Sequence, residues 1–69
     1  MTWQLLNNGE LMEEIITNHS ILLDDAIELS ELEKIDYGNG EKPESDFPDY
    51  VHKATGMKVW YDDLDLELK

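Results

Sequence analysis

The stretch that decides the reading is residues 9–29, GELMEEIITNHSILLDDAIEL. At about 100° of rotation per residue, Leu11, Met12, Ile15, Ile16, Leu22, Leu23, Ala26 and Ile27 share one broad sector, with His19 in its middle. Glu10, Glu13, Glu14, Asp24, Asp25 and Glu28 fall in the opposite sector. One phase serves both ends, which predicts a single amphipathic helix about 30 Å long. Asn7 or Asn8 caps its start, and the acids of its first turn suit the positive end of the helix dipole. Thr17-Asn18-His19-Ser20 is a run of poor helix formers and good caps, so two shorter helices joined by a tight turn are the alternative.

Outward from that segment, Ser30 to Glu33 matches a Ser-x-x-Glu capping box and predicts a short helical restart through Ile35. Tyr37-Gly38-Asn39-Gly40 ends any helix, and Glu41 to Phe47 reads as an exposed loop. Pro48 at a first helical position, Gly56 at an end, and His52 and Lys53 near that end predict a short second helix from Pro48 to Thr55. Leu64, Leu66 and Leu68 alternate with Asp63, Asp65 and Glu67, the period of a half-buried strand. Met57 to Tyr61 is rich in strand formers, Asp62-Asp63 supplies a turn, and Thr2 to Leu6 offers a third strand. The expected fold class is α+β: one long amphipathic helix packed on a small antiparallel sheet, with a short second helix. Residues 1–69 are expected to form a single small acidic domain.

Charge bounds the function. Seventeen Asp and Glu face five Lys and no Arg, for a formal net charge of -12. Such self-repulsion opposes compaction and is tolerated where solubility or a partner requires it. Direct binding to nucleic acid or to an anionic membrane needs clustered Lys and Arg, so a basic protein surface is the natural complement. Hydrophobic residues make up 41% of the chain, too many for a disordered acidic tail. No apolar run approaches the roughly 20 residues of a membrane helix. The absence of cysteine removes disulfides and thiolate metal sites, and with the non-basic N-terminus it leads to an expected cytoplasmic location.

Three features point to binding. On the predicted helix, Glu10 with Glu14 and Asp24 with Glu28 are like-charged i,i+4 neighbours with no Lys or Arg before Lys34. Ile21 projects from the middle of that acidic sector and suits a buried anchor ringed by charge, or else a contact with the loop after Ser30. Asp63, Asp65 and Glu67, with Asp62 beside them, form a second acidic row. Its side chains repeat every ~6.8 Å, near the spacing of successive phosphates on a nucleic-acid strand. The expected partner-binding residues are therefore Glu10, Glu13, Glu14, Ile21, Asp24, Asp25, Glu28, Asp62, Asp63, Asp65 and Glu67. His19 and His52 read as structural, no His-x-x-x-His spacing exists, and Asp36 to Glu41 lacks the alternating ligands of a calcium loop. No catalytic constellation, metal or cofactor is expected.

In size, acidity and lack of cysteine and arginine the chain resembles the small acidic inhibitors that phages direct at host DNA-handling enzymes. These include anti-CRISPR proteins and DNA-mimicking inhibitors of uracil-DNA glycosylase or restriction enzymes. Ser20-Ile21-Leu22 followed by acids, then Lys42-Pro43-Glu44-Ser45-Asp46 with Val51-His52 downstream, resemble short stretches of the glycosylase inhibitors in the same order but with different gaps. There the serine-led segment is an edge strand in the enzyme's DNA groove, whereas periodicity here places it in a helix. The resemblance implies a general mode, mimicry of nucleic-acid charge. A stoichiometric inhibitor is then expected, acting on a basic nucleic-acid-binding protein such as a CRISPR effector, glycosylase or nuclease in the host cytoplasm. An immunity protein or antitoxin against a basic toxin nuclease, and a non-enzymatic assembly adaptor, are the alternatives. The oligomeric state, monomer or dimer, is left open.

Overall fold

The chain reverses direction at Asn8-Gly9, both with positive φ (54° and 80°). Two such residues in succession make the tight turn whose twist matches paired strands, and Asn-Gly tolerates it best. The computed structural model describes residues 1–38 and 42–69. Its elements run β1 (Thr2–Asn7), β2 (Glu10–Ile16), α1 (Leu23–Leu29), β3 (Leu32–Lys34), β4 (Tyr50–His52), β5 (Lys58–Val59) and β6 (Leu64–Leu68), with a 3₁₀ turn over Tyr61–Asp63 before β6. They build two three-stranded antiparallel sheets: a first in the order β2-β1-β6, and a second in the order β3-β4-β5.

The fold is therefore mostly β, and the expected long helix on a sheet is not formed. Glu10 to Ile16 is a strand, and the helix is confined to seven residues, Leu23–Leu29. The pairs Leu11-Met12 and Ile15-Ile16 have helical spacing, but a strand with apolar residues on both faces and one bulge writes the same string. The register shifts by one between Leu5 and Leu6, which leaves Met12 as the inserted residue. Ile15 then points into the core and Ile16 points out, 81% exposed. Thr17 to Ser20 leaves the sheet, with the Thr17 hydroxyl donating to the His19 carbonyl (2.6 Å). His19, expected in an apolar stripe, is exposed.

Two further expectations fail for local reasons. Ser30 closes α1 where a capping box would have opened a helix: its hydroxyl donates to the Ile27 carbonyl (2.6 Å) and accepts from the Leu32 N–H (3.1 Å). Pro48 to Thr55 holds strand β4 and a turn where a second helix was expected, because Tyr50, Val51 and His52 pair with β3, and Tyr50 and Val51 pair also with β5. Met57 to Tyr61 contributes β5 to the second sheet, so Asp62-Asp63 joins the two sheets and does not close a hairpin. The strand at Leu64 to Leu68 stands as the alternation predicts, and the third strand offered at Thr2 to Leu6 forms as β1. The expected helix stop at Tyr37 to Gly40 and the loop from Glu41 fall partly outside the described residues.

One core spans both sheets. Leu5, Ile15 and Leu64 from the first meet Ile21, Ala26 and Ile27 from α1 and its approach, and Leu32 and Val59 from the second. A polar clamp reinforces it. Glu13 sits opposite Leu5 on the inner face, and its Oε1 accepts from the Glu31 N–H (3.2 Å) and lies 3.2 Å from Nε2 of buried His52. The helix start is held by Asp25, whose carboxylate accepts the Leu22 N–H at 3.0 Å.

The hairpin turn gives a direct test. Gly9→Ala forces a Cβ into the left-handed region, a cost of about 1–2 kcal/mol. In a domain of this size that lowers Tm by roughly 4–16 °C. A Tm unchanged within error in differential scanning calorimetry would mean that this turn does not hold the hairpin.

Candidate functional site

Cross-strand partners share a face, so the pairing fixes what the outer side of the first sheet displays. Leu11, Leu6 and Asp65 form one row, and Glu14, Gln4 and Glu67 form the next. Ile16 and Thr2 follow, with Lys69 at the end, its N–H bonded to the Thr2 carbonyl. Leu11, Glu14, Ile16, Asp65 and Glu67 are all exposed. The result is an open sheet face on which apolar side chains lie between carboxylates. Its one cation, Lys69, reaches Glu14 at 3.0 Å, but both groups are well exposed and the pair adds little stability.

The charge is polarised along the chain. Residues 32–59, which carry the second sheet, hold four of the five lysines (Lys34, Lys42, Lys53 and Lys58) and six of the seventeen carboxylates. The first sheet, α1 and their joining segments hold the other eleven carboxylates and Lys69 alone. The molecule is elongated, with extents of 36 × 21 × 20 Å.

The structure separates the expected binding residues into groups. Glu14, Asp65 and Glu67 come together on the open face, and Glu10 stands exposed beside the hairpin turn. Asp62 and Asp63 lie in the 3₁₀ turn ahead of the strand row. Glu28 is exposed on α1. Glu13, Asp24 and Asp25 have internal work: Glu13 clamps the sheets, Asp25 caps α1, and Asp24 accepts the Tyr61 hydroxyl at 3.0 Å. Ile21, expected as the surface anchor, is a core residue with 8% of its surface exposed. The chain turns inward after Ser20 and buries Ile21 before the helix begins. Exposed apolar residues in this part of the molecule are instead Met1, Leu11, Ile16 and Leu68 on or beside the first sheet, Leu22 just before α1 and Leu29 at its end. For Leu11 and Ile16 the signal was the doublets Leu11-Met12 and Ile15-Ile16, in which a strand must send one member outward.

Local electrostatics follow from these contacts. For Asp49, burial works to raise the carboxyl pKa. The Tyr61 N–H (2.9 Å) and Lys42 ammonium (3.1 Å) outweigh it and hold the group below its ordinary value. The Tyr61 hydroxyl is pushed up, chiefly by its hydrogen bond to Asp24 and then by that carboxylate's charge. The Tyr50 hydroxyl is pushed up by burial and by the negative charges of Asp49 and Asp24.

A phenol whose pKa is higher folded than unfolded contributes stability that is complete below its ordinary value of 10.0 and is lost as pH rises through the raised value. Tyr61→Phe removes that contribution at neutral pH. Thermal unfolding followed from neutral to alkaline pH should therefore show a smaller fall in Tm for Tyr61→Phe than for the parent. Equal falls would mean that the Tyr61–Asp24 bond carries no net stability.

Among the described residues no helix is long and apolar enough to cross a membrane, and no three His, Asp or Glu converge as a metal-binding group. Compared with known proteins, the chain matches no family model, no curated protein and no solved structure.

Proposed function

We propose that this protein is a stoichiometric inhibitor that occupies the basic groove of a nucleic-acid-binding enzyme by presenting nucleic-acid-like charge. The observation that carries the reading is the segregation of eleven carboxylates against one lysine in the part built on the first sheet, with Glu14, Asp65 and Glu67 on its open face. Asp65 and Glu67 lie two residues apart on one strand, which sets their side chains ~6.8 Å apart along it. Opposed charge accelerates encounter, and the apolar Leu11 and Ile16 among the carboxylates supply area whose burial slows release. A phage anti-CRISPR or related anti-defence role is the particular form of this reading that the small acidic inhibitors resemble.

The test is capture from a bacterial lysate at low salt, followed by elution with excess duplex DNA or guide RNA and mass spectrometry of what is released. Nucleic-acid-binding enzymes displaced by nucleic acid, and inhibited at one equivalent of this protein, are the expected result. Retention that persists unchanged to about 0.5 M salt, or that nucleic acid cannot displace, sinks the proposal, since groove occupancy through charge is screened and competitive.

A further inference from the structure

A second feature lies away from the open sheet face. Between α1 and the second sheet is a cleft of about 460 Å³ lined by Asp24, Ile27, Glu28, Leu32, Lys34 and Tyr50. Its construction follows from the helix. Ile27 faces the core, while Asp24 and Glu28, one turn apart, stand on one wall. Leu32 and Tyr50 come from adjacent strands of the second sheet and complete an apolar and aromatic floor. Neither the three lysine–carboxylate pairs among the described residues nor the His52–Glu13 contact engages Asp24, Glu28 or Lys34, so the cleft carries two carboxylates against one ammonium. Asp24 is oriented by the Tyr61 hydroxyl, which donates to it at 3.0 Å. The negative potential there is felt by Tyr50, whose hydroxyl is pushed up by burial first and then by Asp49 and Asp24.

We infer that this cleft receives an arginine side chain. The fit is chemical at each level. The aliphatic stem lies over Ile27 and Leu32, as long basic side chains cover apolar surface while their charge stays wet. The planar guanidinium stacks on the half-buried Tyr50 ring and meets Glu28 and Asp24 at its edge. An ammonium has no plane to stack and is more strongly hydrated, so lysine fills the cleft less well. As a statement about the partner, this rests on the proposed inhibitor role: the enzyme that is blocked presents an exposed arginine beside its groove. As a statement about the cleft, it is open to test on the free protein.

The experiment titrates the ¹⁵N-labelled chain with N-acetyl-arginine methylamide and, in parallel, N-acetyl-lysine methylamide at low salt. Saturable amide shifts at Asp24, Ile27, Glu28, Leu32 and Tyr50 are expected, with arginine tighter than lysine. Glu28→Gln, at an exposed position that leaves the core intact, should weaken the arginine probe by about threefold to tenfold. Tyr50→Phe keeps the ring and should leave the preference for arginine in place. Replacing Glu14, Asp65 and Glu67 by their amides should leave the probe's affinity unchanged. Linear shifts spread over the whole acidic surface, equal response to the two probes, or indifference to Glu28→Gln would each overturn the assignment. A lysate that yields no nucleic-acid-binding partner sinks the inhibitor reading alone, since the probe titration does not depend on it.

Discussion

Exchanging Glu14, Asp65 and Glu67 together for lysine is expected to abolish partner capture, weakening it by at least about 1,000-fold at low salt. Each reversal removes one attraction and adds one repulsion, and the three move the formal net charge from -12 to -6, two units per position. Close charge pairs across interfaces carry roughly 1.5–7 kcal/mol of coupling, so three on one face exceed what the remaining contacts offset. The fold should survive. All three side chains are exposed, and the Glu14–Lys69 pair that is lost is a surface contact of small value. Circular dichroism and Tm of the triple variant should match the parent. Capture at parental strength with the fold intact would show that the open face is not the site. Reversal of Asp24, Asp25 and Glu28 is a poorer test, because it also removes the acceptor for Tyr61 and the cap on Leu22.

Glu13→Ala is expected to cost about 1–3 kcal/mol of stability, against a total of roughly 3–10 kcal/mol for a domain of this length. The Glu13 carboxylate serves the Glu31 N–H and His52 Nε2, each at 3.2 Å, and His52 is only 5% exposed. Truncation leaves the buried His52 Nε2 without its partner where water has poor access, a loss of about 1–3 kcal/mol, whereas the Glu31 N–H is exposed and water replaces the carboxylate there. Glu13→Gln keeps one acceptor oxygen and should recover about half of the loss. Urea unfolding followed by tryptophan fluorescence measures both variants. If Glu13→Ala unfolds at the parental midpoint, the clamp between the sheets is not a stabilising element. Partner capture by Glu13→Gln should match the parent at temperatures where it is folded, because this carboxylate faces inward.

These two substitutions also mark how far the sequence could be read. Glu13 and Glu14 are adjacent identical residues, and helical phase put both on one exposed face. In the strand they part, Glu13 to the interior clamp and Glu14 to the open face, because successive side chains alternate across a sheet. The same alternation separates Ile15 from Ile16. The local clue was Asn8-Gly9 between two apolar runs, which marks a hairpin more strongly than Asn7 or Asn8 marks a helix cap. The terminal strand was legible because Leu64, Leu66 and Leu68 alternate strictly with acids and no bulge interrupts them.

By itself, the sequence determined what depends on composition and on short-range pattern: a net charge of -12, the lack of cysteine and arginine, and strands at both termini, while of the helix expected over residues 9–29 only Leu23–Leu29 forms. Only the tertiary structure decided which strands pair, that Ile21 is buried, and which carboxylates are spoken for. The reason is that periodicity reports one chain segment against an unspecified core, and a doublet such as Ile15-Ile16 satisfies a helix and a bulged strand equally. The choice is made by partners distant in sequence: Trp3 and Leu5 pairing with Ile15 and Glu13, Leu66 on the other side of Leu5, and His52 reaching Glu13 from the second sheet.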